Sequence, residues 1–228
     1  MLRKVPKTQE DQSTKLERIA IPPIRMMAAT FDIVGITQLV SNNFSKEMQD
    51  IMAEKQKKGS QQARKDKKHG PKDFEKDYRG SMHISTEGWI GFPASAFRQG
   101  LIDACRTVDF TMAMAKHAVF VWEDGEDSES GVSLVKIEGN VDRLTGYVRL
   151  ANGQPDIKSR ARWKKWSMKV TIEFDSDMFT IQDMANLMSR MGLQVGIGAG
   201  RPYSKTSSGQ GWGTFKVKGF TGVKPRGE

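Results

Sequence analysis

The sequence predicts an α+β fold, because segments with the period of a strand are mixed with segments with the period of a helix. Apolar and polar residues alternate from Trp166 to Phe174, which is typical of a strand with one buried face. Apolar residues recur at helical spacing in 95–108 and again from Met184 to Met191. With 228 residues, the chain is long enough to bury one large core.

Changes in composition divide the chain into a domain and its appendages. Residues 1–20 are polar and without periodicity, so we expect a flexible N-terminal arm. A single domain is predicted over 21–220, followed by a C-terminal tail over 221–228. Within the domain, 48–79 is a basic insertion with few apolar residues, interpreted either as a solvated insertion or as a finger that orders on nucleic acid.

The first half of the domain begins with an apolar stretch, Ile24 to Val40, that predicts one long strand. In the insertion we expect a helix up to about Lys68 and then a loop, because Gly70-Pro71 interrupts the segment. A strand over Ser81–Phe92 is expected to lead into the helix of 95–108.

The second half continues with two short strands, Ala118–Trp122 and Val132–Glu138, joined by an acidic loop. This loop lacks the glycine and terminal glutamate of a calcium loop, so a solvated hairpin tip is predicted. The helix that contains Met184 begins at a capping box formed by Thr180 and Asp183.

Two tryptophans carry the functional prediction. Extending the alternation of 166–174 backwards places Trp163 on the solvent side with Lys165 and Lys169. In a last strand over Trp212–Val217, Trp212 shares a side with two further lysines. Indole rings beside cations are what a single nucleic-acid strand needs, because rings stack on bases and cations bind phosphates. The alternative for either ring is packing under a loop or against another subunit.

A glycine-rich loop, Gly192–Pro202, follows the second helix and lacks both the Rossmann and the P-loop spacing. It is interpreted either as a flexible hairpin or as backbone along which a nucleic-acid strand lies, beneath Arg201, Tyr203 and Lys205.

The overall charge agrees with a polyanionic partner, because the net charge is +9 and the isoelectric point is about 9.6. No apolar run approaches the ~18 residues of a spanning helix, so a membrane is the weaker choice. No signal peptide is visible, and the single cysteine, Cys105, fits a reducing cytoplasm. We expect no metal, no cofactor and no enzymatic activity, because the three histidines have no evident catalytic partner in the sequence.

The candidate binding residues follow from these patterns. The stacking rings are Trp163 and Trp212. The predicted loop contacts are Gly198, Gly200, Arg201, Tyr203 and Lys205. The predicted phosphate contacts elsewhere are Lys46, Arg64, Lys67, Lys68, Arg160, Arg162, Lys165 and Lys169, together with Ser95 and Arg98 at a helix start.

Two motifs resemble the RAMP superfamily, the RNA-recognition-motif-like proteins of CRISPR effector complexes. The phrase Phe92-Pro-Ala-Ser-Ala-Phe-Arg98 matches that family's helix-opening phrase at Pro93, Ser95 and Arg98, with Ala94 in place of the usual glycine. The loop of Gly196–Gly213 matches the family's glycine loop. The resemblance covers about half of the chain. It implies a ferredoxin-like β-α-β-β-α-β core, single-stranded nucleic-acid binding, a thumb-like insertion and subunits stacked along a strand.

A more extensive resemblance, over about residues 30–217, is to a group of uncharacterised bacteriophage proteins. It rests on Asn42-Asn-Phe-Ser-Lys46, on the lysine-rich insertion, and on the terminal phrases around Arg201-Pro202 and Phe215. If the protein is encoded by a phage, the host cytoplasm is its expected location.

The predicted function is therefore non-catalytic binding of single-stranded nucleic acid, with RNA favoured and DNA possible. The alternatives are a phage protein that binds or anneals single-stranded DNA, a RAMP-type ribonuclease, and an inhibitor or scaffold that mimics a CRISPR backbone subunit.

Overall fold

The computed structural model describes residues 21–65, 72–149, 155–204 and 210–226. Its helices are α1 (Lys46–Lys65), α2 (Phe74–Gly80), α3 (Ala94–Ala104), α4 (Met112–Ala118) and α5 (Ile181–Arg190), with a 3-10 turn at Cys105–Val108 and a π turn at Met191–Val195. Its strands are β1 (Met26–Gly35), β2 (Leu39–Val40), β3 (His83–Ile84), β4 (Ile90–Pro93), β5 (Val119–Val121), β6 (Gly125–Glu126), β7 (Ser133–Lys136), β8 (Val141–Arg149), β9 (Pro155–Trp163), β10 (Ser167–Asp175) and β11 (Phe215–Val223). Within these described ranges, no helix is long and apolar enough to cross a bilayer.

A four-stranded antiparallel sheet forms the centre of the molecule, with strand order β11-β1-β10-β5. Helix α3 lies between β1 and β5 along the chain, and α5 lies between β10 and β11. The sheet and the two helices share one core, in which Phe31, Phe97, Phe174 and Phe215 are fully buried. Burial of each such ring stabilises the fold by roughly 1.5–3 kcal/mol. The predicted α+β class is therefore confirmed.

The clearest predictions for this sheet hold. Trp166, Met168, Val170, Ile172 and Phe174 are all buried, as their alternation indicates. The capping box at the start of α5 is also present, since Thr180 and Asp183 satisfy each other's backbone N–H groups.

The prediction of one strand over Ile24–Val40 is wrong, because the strand breaks after Gly35. The Trp166 indole lies across this point, and its Nε1 donates a hydrogen bond to the Thr37 carbonyl at 2.8 Å. A Cβ atom on Gly35 would lie 2.2 Å from the same Nε1, so only glycine fits beneath the ring. The chain turns here and continues as β2 in a second sheet.

This second sheet has the order β2-β9-β8, and a long hairpin of β8 and β9 forms most of it. Successive side chains of a strand point to opposite faces of the sheet. Lys158, Arg160 and Arg162 therefore lie on one face of β9, and Trp163 lies on the other. A third sheet has the order β3-β4-β7-β6. Its strands β3 and β4 precede α3 in the chain, and β6 and β7 follow it.

The tryptophan surface predicted from the sequence is wrong for Trp163, whose ring is only 1% exposed. The cause is a bend at Lys164–Lys165, which separates β9 from β10. The alternation restarts after this bend, so the phase of β10 does not extend back to Trp163. The ring belongs to the core and cannot stack on a base.

The basic insertion contains one helix that the sequence predicts and one that it does not. All described side chains of α1 are exposed. Helix α2 replaces the expected loop, because the Asp73 carboxylate caps its first N–H groups at 3.0 and 3.1 Å. Ion pairs of Arg143 with Glu75 (2.8 Å) and of Lys72 with Asp156 (2.6 Å) join the segment to the hairpin.

Candidate functional site

A cavity of about 440 Å³ opens where the glycine-rich loop meets the β8–β9 hairpin. The two residues after β2, the end of β4, the start of α3 and one residue of β3 complete its wall. Its described lining residues are Ser41, Asn42, His83, Phe92, Pro93, Ala96, Tyr147, Val148, Lys158, Arg160, Gly198, Ala199, Gly200, Arg201, Ser204 and Gln210.

The charge of this cavity is positive. Lys158, Arg160 and Arg201 line it, and none of the described lining residues is an aspartate or a glutamate. A larger groove of about 1290 Å³ runs alongside, between α1, α2 and β9, and shares Asn42, Lys158 and Arg160 with the cavity. Eight carboxylates line that groove, so its charge is mixed: Glu47, Asp50, Asp73, Glu75, Asp77, Asp127, Glu129 and Asp156. An anion therefore finds its favourable site in the smaller cavity.

Arg160 is a half-buried cation of the cavity with one buried atom that is unpaired in the described part of the chain. Its Nε is buried and has no hydrogen-bond partner among the described residues. Burial also lowers the pKa of this guanidinium, although the group stays charged at physiological pH. A buried charge without a partner destabilises a fold, so its presence points to a ligand that supplies the missing acceptor.

Arg162 lies on the same face of β9 but is already paired. Its Nε and one Nη donate hydrogen bonds to the two carboxylate oxygens of Asp142, at 2.7 and 2.9 Å. The hydrogen bonds from Arg162 also lower the pKa of Asp142. The structure therefore separates two arginines that the sequence placed in one group.

The glycine-rich loop is held against β2 by its backbone. Ala199 N–H donates to the Val40 carbonyl at 2.9 Å. Gly198 and Gly200 both have φ of +77°, a conformation that favours glycine, and a Cβ on Gly198 would lie 2.6 Å from the Val40 oxygen. Gly198, Gly200 and Arg201 all line the cavity, so three predicted residues of this loop lie together with Arg160.

A histidine–aspartate pair lies at the edge of the cavity. His83 lines the cavity and Asp127 lines the neighbouring groove. Nδ1 of His83 lies 3.1 Å from Oδ2 of Asp127, and both residues are buried. Burial lowers the pKa of His83 by more than the carboxylate raises it. Burial opposes ionisation of Asp127, but hydrogen bonds from Ser130, Glu129 and His83 outweigh it and lower its pKa.

The sequence predicts that Arg98 is open to a phosphate at a helix start, but the structure shows its guanidinium bound within the protein. Its Nε donates to the Val119 carbonyl at 2.9 Å and its Nη2 donates to the Lys116 carbonyl. Its guanidinium also stacks over the Phe120 ring, 5.7 Å from the ring centre. Because these contacts join α3 to α4 and β5, Arg98 stabilises the fold and is not available as a phosphate site.

Trp212 is also placed differently from the prediction. It precedes β11, which begins at Phe215, and its half-buried ring packs beside Gly200. The predicted pair of open indoles on one sheet is therefore absent. Tyr203 is exposed, but its hydroxyl accepts a hydrogen bond from Arg106 at 2.8 Å and it does not line the cavity.

The remaining predicted residues are dispersed. Ser95, Lys165 and Lys169 are exposed outside the cavity, and Lys46 lies at the groove where α1 begins. Arg64 belongs to α1, but its side chain lies outside the described part of the structure. Lys67, Lys68 and Lys205 lie outside the described residues altogether.

Sequence interpretation missed two features of the cavity. Lys158 lies two residues before Arg160 on the same face of β9, so the alternation of that strand could have identified it. The pairing of His83 with Asp127 leaves no local signal, because 44 residues separate the two. Among the described residues, no group of histidine, cysteine and carboxylate side chains could hold a metal ion.

The fold and the cavity together define an α+β protein with a cationic pocket. No protein-family model and no curated protein matches its sequence. Chains of solved structures do match, and one belongs to the cryo-EM structure of the Type III-B Cmr-beta bound to cognate target RNA. The two chains are 10% identical with a TM-score of 0.47, and the match covers 88% of this chain and 61% of that one. This chain therefore spans less than two thirds of the other's length.

Proposed function

We propose that this protein binds single-stranded nucleic acid, with RNA favoured, through the cavity that contains Arg160. One observation carries the proposal: a half-buried arginine, whose buried Nε has no described partner, lies in a pocket with two further cations and no described carboxylate. A phosphodiester supplies the acceptor oxygens that this arrangement requires. A volume of about 440 Å³ suits a pocket for one small ligand unit, such as a nucleotide of a strand, and not a duplex.

The two sequence motifs of the RAMP resemblance support the same location. Pro93 of the helix-opening phrase and Gly198 and Gly200 of the glycine loop are far apart in the chain, yet all three line this cavity. The strand order β11-β1-β10-β5, with α3 and α5 as the connecting helices, supports a ferredoxin-like arrangement of the core.

Fluorescence anisotropy with labelled 12-nucleotide RNA and DNA strands, and with the corresponding duplexes, tests the proposal. We expect both single strands to bind more tightly than the duplexes. The logarithm of the affinity should fall linearly with the logarithm of the salt concentration, because phosphate contacts release counterions. Failure of every single strand to bind at low salt would refute the proposal and favour a protein-binding scaffold.

A ribonuclease is the second candidate, and the His83–Asp127 pair is the observation that favours it. A histidine held by a carboxylate can act as a general base on a ribose hydroxyl. End-labelled RNA incubated with the protein, with and without magnesium, tests this candidate. Cleavage that is lost in His83→Phe would support it, and RNA that stays intact for hours would exclude it.

Assembly of stacked subunits along a strand also remains a proposal. Size-exclusion chromatography and electron microscopy, with and without a long single strand, distinguish a monomer from a filament. A complex that contains only one protein molecule on a long strand would contradict the assembly.

A further inference from the structure

The hydrogen bonds around His83 determine which of its ring nitrogens carries a proton. Oδ1 of Asp127 accepts hydrogen bonds from the backbone N–H groups of Glu129 and Ser130, at 3.1 and 2.8 Å, and also from the Ser130 hydroxyl. A carboxylate with these donors and a lowered pKa is ionised, so it only accepts hydrogen bonds. In the hydrogen bond between His83 and Asp127, Nδ1–H of the imidazole is therefore the donor and Oδ2 of the carboxylate is the acceptor.

The other ring nitrogen is consequently an acceptor. Burial lowers the pKa of His83 below its ordinary value of 6.5, so the ring is neutral at physiological pH. With its proton on Nδ1, the neutral ring has a lone pair on Nε2. No described residue donates a hydrogen bond to Nε2, and His83 lines the cavity.

An acceptor in a phosphate pocket requires a hydrogen-bond donor from the ligand. Phosphodiester oxygens are acceptors only, so they cannot satisfy Nε2, and they find their donors in Lys158, Arg160 and Arg201. The sugar of DNA has no hydroxyl within the strand. The ribose of RNA carries a 2′-hydroxyl, which donates as well as accepts.

We infer that His83, positioned by Asp127, accepts a hydrogen bond from the 2′-hydroxyl of the nucleotide whose phosphate lies on Arg160. The site therefore selects RNA over DNA at one nucleotide of the strand. This inference rests on the proposed function, since it requires a strand in the cavity.

Chemically modified strands test the inference with the unaltered protein. Four strands of one unstructured 12-nucleotide sequence are compared by anisotropy: RNA, DNA, 2′-O-methyl RNA and 2′-fluoro RNA. The two modified strands keep an RNA-like sugar conformation but have no 2′ donor. We expect RNA to bind about three- to tenfold more tightly than the other three, as for one hydrogen bond. Equal affinity of RNA and 2′-fluoro RNA would overturn the inference.

A pair of histidine variants assigns the effect to one residue. His83→Phe should lose the preference for RNA, measured as the ratio of the RNA affinity to the DNA affinity in the same protein. The matched control, His117→Phe, changes an exposed histidine of α4 and should keep the preference. A preference that survives in a folded His83→Phe protein would also overturn the inference. If all four strands fail to bind the wild type at low salt, the proposed function fails as well; if they bind equally, only this inference fails.

Discussion

Arg160 and Arg162 point to the same face of β9, yet only Arg162 has a carboxylate partner. Asp142 lies opposite Arg162 on β8 and binds it through both oxygens, whereas Leu144 lies opposite Arg160. Two arginines that are equivalent in the sequence pattern therefore differ in their electrostatic environment. This difference supplies a matched pair of variants for separating binding from stability.

Replacement of Arg160 by methionine should stabilise the protein. The change removes a desolvated charge whose Nε has no described partner, and methionine keeps much of the side-chain volume. We expect the free energy of unfolding to rise by about 0.5–2 kcal/mol in urea titrations without ligand.

Arg162→Met is the control for this change. It breaks a partly exposed ion pair, so it should lower the free energy of unfolding by about 0.2–1 kcal/mol. Clear destabilisation by Arg160→Met would show that this arginine holds the fold together, in conflict with a site kept for a ligand.

Removal of the Arg98 side chain should affect folding and not binding. Arg98→Ala takes away hydrogen bonds to two backbone carbonyls of the α4–β5 segment, and we expect a loss of about 1–3 kcal/mol in unfolding free energy. Affinity for single-stranded RNA, measured well below the melting temperature, should stay within about twofold of the wild type. A large fall in affinity with unchanged stability would restore Arg98 as a phosphate contact.

Replacement of Trp163 should affect stability and not nucleic-acid binding, in contrast to the stacking role that the sequence predicts. Because the ring is fully enclosed, Trp163→Ala should lower the free energy of unfolding by about 3–5 kcal/mol. The milder Trp163→Phe should fold and bind RNA like the wild type, as anisotropy can check. Weaker binding by a stable Trp163→Phe protein would indicate that the indole meets the ligand after all.

The buried His83 should make stability depend on pH below 6.5. Its pKa is lowered in the folded state, so the unfolded chain takes up the proton first as the pH falls. The contribution is therefore complete above pH 6.5 and is lost as the pH falls from 6.5 to the folded-state pKa. Asp127 loses its own contribution only at lower pH, because its pKa lies below 3.8.

Urea titrations across this range measure the effect. His83→Phe should flatten the decline in unfolding free energy just below pH 6.5, and His117→Gln should leave it as in the wild type. The same protonation removes the acceptor at Nε2, so the preference for RNA should also shrink in acid. The charged groups around this ring are Asp127, which contacts it, and Lys158, Arg160 and Arg201, which line the same cavity. An unchanged decline in His83→Phe would contradict the buried neutral ring.

The parts of the fold that the sequence predicts are those with local, regular patterns. The alternation of 166–174 and the capping box at Thr180 both depend on neighbours in the chain, and both are present. The predicted exposure of Trp163 is wrong because one bend resets the alternation. A bend at two lysines carries no glycine or proline signal.

The candidate site is predictable only in part for a related reason. Residue type alone identifies Arg160, Gly198, Gly200 and Arg201, since cations and glycines near a strand favour phosphate binding. Which arginine has a partner depends on Asp142, a residue on another strand, and composition cannot show that pairing.

The most direct test of the central claim compares Arg160→Gln with Arg162→Gln in one salt titration of a labelled 12-nucleotide RNA. Arg160→Gln should weaken binding about tenfold or more and reduce the salt slope by about one unit, whereas Arg162→Gln should bind like the wild type. Equal losses in the two variants, or no loss in Arg160→Gln, would contradict the claim that the cavity at Arg160 holds a phosphate of the strand.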